Sequence, residues 1–425
     1  MTALTRADNS AIGFAGWVSS RNATADIAVE RRRRAPPQML DGRAGDAAAP
    51  VWVLPSRRAG DATQAIALAE GLGLPFTVKE LAWRPFDLLL APPFAATLAA
   101  LEPEAAASLK APWPALVLST GCENEPVARW IRQASGGRSL IVHVGRPWGP
   151  LDGYDLVVTT PQYRLPERPN VLQNEAPLHR VTAARLAEAV ATWKPRLGHL
   201  PRPYFAVLVG GGSGPYPLDR QAGERLGRQA SELARRHGGS LLITTSARTP
   251  ASALAGLAST LDVPHYLFGW KKGRAENPYY AFLGLADEVV VTADSVSMIA
   301  EACATAKPVH LFDLGEGPFS MRAPLGLDGE PEPALRPDPR RWLKEFGLPT
   351  ALYRFLLRHA PAKLTRDIRL VHRRFVASGR ACWLGEAAPS AVRPPLFDLD
   401  RAVARVRALL TGSDIGRVAV LDRAA

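Results

Sequence analysis

The stretch EVVVTADSVSMIAEACATAKPVHLF, residues 288–312, decides the fold. A run of β-branched residues, Val289 to Val291, gives way to a stretch with helical spacing, and a second apolar run, PVHLF at 308–312, follows it. Two short apolar runs joined through a helix predict parallel strands, because parallel neighbours need a crossover and are buried on both faces. Where the first strand meets the helix stand Thr292, Asp294, Ser295 and Ser297, an unusual density of oxygen-bearing side chains.

The same alternation extends outward. Upstream it reads as strands at 204–210, 240–245 and 265–270, with helices near 218–237, 250–260 and 278–286, and a helix near 295–304 lies within the opening stretch. Ahead of a Pro- and Arg-rich linker, KPRLGHLPRPY at 194–204, a first series runs through strands at 51–54, 115–119, 139–144 and 155–160, with helices near 61–72 and 125–134. Beyond a loop rich in Gly and Pro (313–340), helices are expected from about 340 to 378 and from 399 to 410.

This pattern predicts an α/β protein of two Rossmann-like, doubly wound domains facing a cleft. The expected organisation is a disordered extension (1–48), a first domain (49–195), a second domain (196–340), closing C-terminal helices (341–412) and a tail (413–425).

Composition narrows the class. The 425 residues are 47% apolar and 22% charged, as in a soluble globular protein with room for two cores. The longest apolar run, 88–101, is broken by Pro92 and Pro93 and is short of the roughly 20 residues of a spanning helix. Cys122, Cys303 and Cys382 lie far apart, without disulfide or zinc spacing, which suits a reducing compartment. The net charge of +12 comes from 52 basic against 40 acidic residues; eight of the basic ones are Lys, leaving 44 Arg, a bias that a GC-rich bacterial genome explains better than nucleic-acid binding. Arg366, Arg369 and Arg373 fall on one helical face, either solvated or turned to an anionic membrane.

In open parallel sheets ligands bind beyond the carboxyl ends of the strands. In the second domain Gly210, Gly211, Gly212 and Ser213 follow a strand and suit close approach to a phosphate or diphosphate. A dinucleotide fingerprint fails, since it needs glycine where Pro215 or Tyr216 stands, and there is no P-loop. The next strand end collects Thr244, Thr245, Ser246, Arg248 and Thr249, a set suited to an oxyanion, with Thr249 as an ordinary helix cap before Pro250 as the alternative. In the opening stretch Ser295 and Ser297 are read as phosphate contacts at a helix N-terminus and Glu301 as a ribose contact, with Met298 beside them and Asp294 open between cap and sugar contact. Asn277 and Tyr279, at another helix entry, stack on a base or pack.

In the first domain Arg57, Arg58, Gly60, Asp61 and Gln64 follow the first strand. Asp61 is an N-cap or an acid that activates an acceptor hydroxyl. Ser119, Thr120, Gly121, Glu123 and Asn124 stand at the next strand end, and His143 and Arg146 beyond it.

With these motifs collected, the chain resembles the Elongated-Mitochondria-like fission family of plants and bacteria, whose bacterial members are described as candidate glycosyltransferases. The resemblance rests on RAGDATQAIALAEGLG, APWPALVLSTG, YDLVVTTPQYRLPERPNVL, VLVGGGSG, TTSARTP, NPYYAFLGLADEVVVTADSVSMIAEA and KPVHLFDL, over about 51–320, with SGRACWLGE and PPLFDLDRAV extending it to about 410. It implies a GT-B-like fold with an acceptor-side first lobe, a second lobe holding a nucleotide sugar as donor substrate, no bound cofactor or metal, and a last helix that returns to the first lobe. Gly211, Gly212, Ser213, Thr245, Ser246, Arg248, Thr249, Asn277, Tyr279, Asp294, Ser295, Ser297, Met298 and Glu301 would form the donor site. Gly60, Gln64, Gly121 and Glu123 would face the acceptor, with Asp61 as catalytic base.

The chain departs from the family at GCEN (121–124) and TPQY (160–163), both on the acceptor side. Retaining relatives of the fold carry two glutamates eight apart, whereas Asp294 and Glu301 are seven apart, which favours inversion. A glycosyltransferase acting on a lipid or envelope glycan at the inner face of the cytoplasmic membrane is the leading expectation. An epimerase of the same fold and a non-enzymatic membrane adaptor stand beside it.

Overall fold

The computed structural model describes residues 51–84, 91–92, 94–213, 216–272, 276–316, 320–322, 366–388 and 395–412. The expected N-terminal extension, most of the 340–378 helical stretch and the tail lie outside them, as does part of the apolar run at 88–101.

The first lobe is a sheet of six parallel strands: β1 Val51–Leu54, β2 Phe76–Val78, β3 Leu116–Thr120, β4 Leu140–Val144, β5 Leu156–Thr159 and β6 Val171–Gln173. Their spatial order is β2-β1-β3-β4-β5-β6. Helices α1 Ala59–Leu72, α2 Pro103–Ala107 and α3 Glu125–Ala134 accompany them. Strands β1, β3 and β5 are buried along their whole length because both faces are covered, which is why they read as continuous apolar runs. Helix α1 ends at Gly73, whose φ of 65° is the left-handed cap geometry that glycine adopts without strain.

The next helix, α4 Ala183–Leu197, starts at Thr182, whose hydroxyl accepts the Arg185 N–H. It packs on the second lobe: Trp193 is buried edge-on among Tyr266, Phe268 and Phe282. The core of the second lobe therefore begins ahead of the boundary expected at 195. The Pro- and Arg-rich composition at 194–204 marks a helix end as well as a connection.

That lobe is a second sheet of six parallel strands, β7 Tyr204–Val209, β8 Ser240–Thr245, β9 His265–Phe268, β10 Glu288–Thr292, β11 Val309–Phe312 and β12 Cys382–Trp383. The order is β12-β11-β10-β7-β8-β9. Its helices are α5 Arg220–Arg236, α6 Ala251–Ala258, α7 Tyr279–Leu285 and α8 Val296–Cys303. The opening stretch is β10, α8 and β11, paired in parallel as its spacing predicts.

Helices α9 Arg369–Ala377 and α10 Asp398–Leu410 follow. Ala402 and Val406 of α10 are buried in the first lobe's core, and Leu399 and Val403 lie against Gly71 of α1. The last helix thus returns to the first lobe, completing the expected GT-B-like arrangement. The expected common face of Arg366, Arg369 and Arg373 is not formed. Arg366 lies ahead of α9 and donates to Gln162 Oε1 of the first lobe at 3.0 Å, and Arg369 is bonded to Asp367, while Arg373 is exposed.

Candidate functional site

Each sheet reverses its strand order at one place, between β1 and β3 and between β7 and β10. At such a point the loops leave in opposite directions and open a crevice. Both crevices are braced in the same way. In the first lobe the Ser56 N–H donates to Thr120 Oγ1 at 2.9 Å, and Glu123 Oε1 accepts from the Ser56 hydroxyl at 2.8 Å and the Arg57 N–H at 3.2 Å. In the second, the Gly210 N–H donates to Thr292 Oγ1 at 2.7 Å, and Asp294 Oδ2 accepts the N–H groups of Gly211 and Gly212 at 2.9 and 3.1 Å.

The second brace gives Asp294 a role the spacing did not offer, as acceptor for the glycine loop. Its carboxylate is 1% exposed and turned inward to the glycine loop, with the Arg248 guanidinium 3.5 Å away and Oδ1 buried without a hydrogen-bond partner. The glycines serve this carboxylate: a Cβ on Gly210 would collide with it, and one on Gly211 would collide with the Arg248 backbone. Gly212 has a φ of 82°. The Ser213 and Tyr216 backbones exchange two hydrogen bonds. The amides expected to cradle phosphate are therefore already satisfied from within.

The hydroxyls at the end of β8 are also engaged. Thr245 Oγ1 accepts from the Trp270 N–H at 2.8 Å. Thr249 does not cap α6; its hydroxyl donates to Gly210 O at 2.5 Å and accepts the Ser246 N–H at 2.9 Å, and Ser246 Oγ accepts the Arg248 N–H at 3.2 Å. Arg248 donates to Gly212 O at 3.1 Å while its side chain is 58% exposed, so guanidinium donors still face the cleft.

Ser295 occupies the cap position of α8 without making a side-chain cap bond, and Ser297 lies on its first turn. Ser297 Oγ is 3.0 Å from where a Cβ on Gly60 of the first lobe would stand, so the N-terminal turns of α8 and α1 approach each other across the cleft. Met298 packs against the second lobe's core. Glu301 is almost fully buried; burial raises its pKa to about 7, against the lowering effect of a hydrogen bond from the Tyr279 hydroxyl. Tyr279 is thus directed at Glu301, and Asn277 Oδ1 accepts the Tyr279 N–H at 3.0 Å to form the turn that starts α7.

On the first-lobe side Asp61 is not an N-cap. Helix α1 begins two residues earlier, at Ala59, and places Asp61 in its first turn, where the helix dipole favours a negative charge. Burial raises its pKa, opposed by Arg366, Arg58 and Arg248, so charges from both halves of the chain act on it. Gln64 is buried one turn on. Glu123 is occupied by the 56–57 loop, and Gly121, with a φ of 80°, gives the Glu123 carboxylate room that a Cβ would fill.

His143 is fully buried with Nδ1 3.0 Å from Ser119 Oγ, and burial lowers its pKa, so it is a core residue outside the cleft. Residues the spacing did not assign here are Gln162, Tyr163 and Arg366: Arg366 bonds Gln162 and lies 5.9 Å over the Tyr163 ring. The departure at TPQY was the available signal for them. Arg146 lies 5.9 Å from the same Tyr163 ring.

The chain is similar to the mitochondrial fission protein ELM1 of Arabidopsis thaliana, 29% identical over 226 residues that cover 47% of this chain and 51% of that protein. It thus spans about half the length of this relative. Solved structures similar in chain course include a glycosyltransferase from Rickettsia africae, 11% identical, with a TM-score of 0.39, covering 86% of this chain and 98% of that one. Another is the UDP-GlcNAc 2-epimerase from Methanocaldococcus jannaschii, 10% identical, with a TM-score of 0.41, covering 84% and 99%. The family model described as Mitochondrial fission ELM1 matches residues 59–322, more than half of the chain, from the start of α1 to beyond β11. By that match, which takes in the cleft-facing turns of both α1 and α8, the chain belongs to the mitochondrial fission ELM1 family.

Proposed function

We propose that the chain is a nucleotide-sugar-dependent glycosyltransferase that inverts its donor sugar without a resident metal and acts on a lipid or cell-envelope glycan. The observation that carries this reading is the approach of Gly60 on α1 to Ser297 on α8, with Arg248 and Arg366 acting on the carboxylate of the next residue, Asp61. An acid on one lobe and a cation with a helix N-terminus on the other are what displacement of a diphosphate by a hydroxyl requires.

In this mechanism Asp61 accepts the proton of the acceptor hydroxyl, and its raised pKa makes it a stronger base than an ordinary aspartate. The hydroxyl oxygen bonds to the anomeric carbon as the bond to the diphosphate breaks. The exposed face of Arg248 and the first N–H groups of α8 take up the leaving charge. Glu301 meets the ribose hydroxyls once Tyr279 yields its place.

Exposed Phe94 and Trp148 suit an acceptor with an apolar portion and a peripheral membrane contact. Their neighbours Thr97 and Trp148 itself bond through backbone N–H groups to Pro126 O and Glu125 Oε1, at the carboxyl-end mouth of the first sheet. No described helix is long and apolar enough to cross a membrane.

A second reading, a non-enzymatic adaptor, is favoured by the inward engagement of Asp294 and Tyr279, which meet internally the groups a nucleotide would meet. A thermal-shift screen against UDP-, GDP-, CMP- and ADP-sugars separates the readings. The transferase reading expects stabilisation by one donor class, lost in Glu301→Ala and Arg248→Ala, and acceptor-dependent transfer of labelled sugar. Epimerisation without acceptor would replace it with an epimerase, and no shift with any donor would leave the adaptor.

A further inference from the structure

In the first lobe, the loop that leaves the carboxyl end of β4 carries Arg146 in a fixed position. Gly145, with a φ of 108°, turns the chain out of the strand, and its N–H donates to Val158 O at 2.8 Å. Beyond Arg146, the N–H groups of Trp148 and Gly149 donate to the fully buried Glu125 carboxylate of α3 at 2.7 and 2.8 Å. The Tyr154 hydroxyl donates to that carboxylate at 2.5 Å. The backbone is thus held on both sides of Arg146. Its side chain is half-buried, and its guanidinium lies 5.3 Å from the ring of Trp148, which is exposed.

Among the described residues no carboxylate pairs with this guanidinium, and its Nη1 is buried without a hydrogen-bond partner. The Tyr163 ring lies 5.9 Å from it and 5.9 Å from Arg366. Arg366 is kept there by the next residue, since the Asp367 N–H donates to Gln162 O at 2.8 Å. Burial raises the Tyr163 pKa; Arg366, Arg146 and the exposed Arg58 oppose it, and Asp61 adds to it. Three guanidinium groups and one carboxylate therefore act on one phenol. The other charges nearby are already matched: Glu123 holds the 56–57 loop, and Asp367 takes Arg164 and Arg369. A cationic excess around a buried, unmet donor is costly until an anion completes it.

We propose that Arg58, Arg146 and Arg366, gathered around Tyr163, bind a phosphate ester that forms part of the acceptor. This deepens the transferase reading and rests on it for the word acceptor. Arginine suits the group because its planar fork gives a phosphate two parallel N–H donors. A phosphate ester brings up to about two negative charges, which match the two cations left once Asp61 is set against three. The exposed ring of Trp148 beside Arg146 offers the organic part of the ester an apolar surface. This site is distinct from the place of the donor diphosphate, which the transferase reading gives to Arg248 and α8 of the second lobe.

The test is calorimetric titration of the full chain with hexyl phosphate and, separately, with inorganic phosphate. Hexyl phosphate is expected to bind more tightly than inorganic phosphate, at least about tenfold more weakly in Arg146→Gln, and within about twofold of the native chain in Arg248→Ala. Arg58→Gln, at an exposed position, is expected to weaken it about threefold and decides the matter if Arg146→Gln fails to fold. Binding unchanged in both first-lobe variants, or weakened in Arg248→Ala alone, overturns the proposal. Inorganic phosphate bound as tightly as hexyl phosphate assigns the site to free phosphate and overturns the ester. Phosphatidylglycerol vesicles bound equally by the native chain and Arg146→Gln, with hexyl phosphate unbound, would make the cluster a membrane contact and overturn it too. A donor-induced thermal shift without phosphate binding leaves the transferase reading standing and sinks this proposal. Phosphate binding lost in Arg146→Gln, with no shift from any donor, keeps the phosphate site and sinks the transferase reading instead.

Discussion

Asp294 accepts from two half-buried loop amides, so Asp294→Ala takes this acceptor from Gly211 and Gly212. Loss of a buried partner costs about 1–3 kcal/mol, and chemical denaturation of the variant should report a destabilisation in about that range. Glu301 makes a pH-dependent contribution. Its carboxyl titrates near 7 in the folded chain against a reference of 4.5, so between those values the folded state binds the proton and the unfolded state does not. The stabilisation relative to the unfolded chain is fully present below about pH 4.5 and is lost as pH rises through about 7. Glu301→Gln, which stays neutral and still accepts from Tyr279, should therefore gain on the native chain between pH 5 and 8, by on the order of 2–3 kcal/mol. Melting curves of the two that run parallel across that range would sink the assignment. Both carboxylates stand out in the sequence, Asp294 just past a strand end and Glu301 within the helix that follows. The inward orientation of Asp294 was not legible, because it depends on the Gly210 to Gly212 loop of a strand more than 80 positions away, and that of Glu301 depends on Tyr279 of another helix, neither of which local spacing encodes.

Elements with a full apolar run and a helical partner, such as β7 and α5 or β10 and α8, are legible because burial and period speak together. The missing signal has a specific cause in each other case. Strand β12 is two residues long and owes its place to pairing with β11, and β2 is a short edge strand with little burial. Helix α4 was obscured by Pro195 in its last turn and by the basic residues around it. Its anchor is Trp193, and Trp193→Ala removes an aromatic packed on three others. A loss of about 3–5 kcal/mol is expected, and hydrogen exchange should show it confined to the second lobe, faster at β8, β9 and α7 and unchanged at β1 and β3.

For the whole molecule, chemistry and binding should divide between lobes. Asp61→Asn should abolish transfer while keeping donor-induced stabilisation, whereas Arg248→Ala should weaken the donor; loss of donor stabilisation in Asp61→Asn would move Asp61 out of the catalytic role. Among the described residues, the segment that leaves the first lobe after β6 and the one that enters it at α10 are tied to each other. Asn174 Nδ2 donates to Asp398 O at 3.3 Å, the Glu175 N–H donates to Asp398 Oδ1 at 2.7 Å, and Arg380 reaches Glu175 Oε2 at 3.0 Å. Two connections laced together form a strap rather than a single swivel. Any relative movement of the lobes has to keep or break these ties together, which is a tighter constraint than a single connection would set. A protease that cuts one connection would leave the halves joined by the other, but would free the motions that the strap forbids.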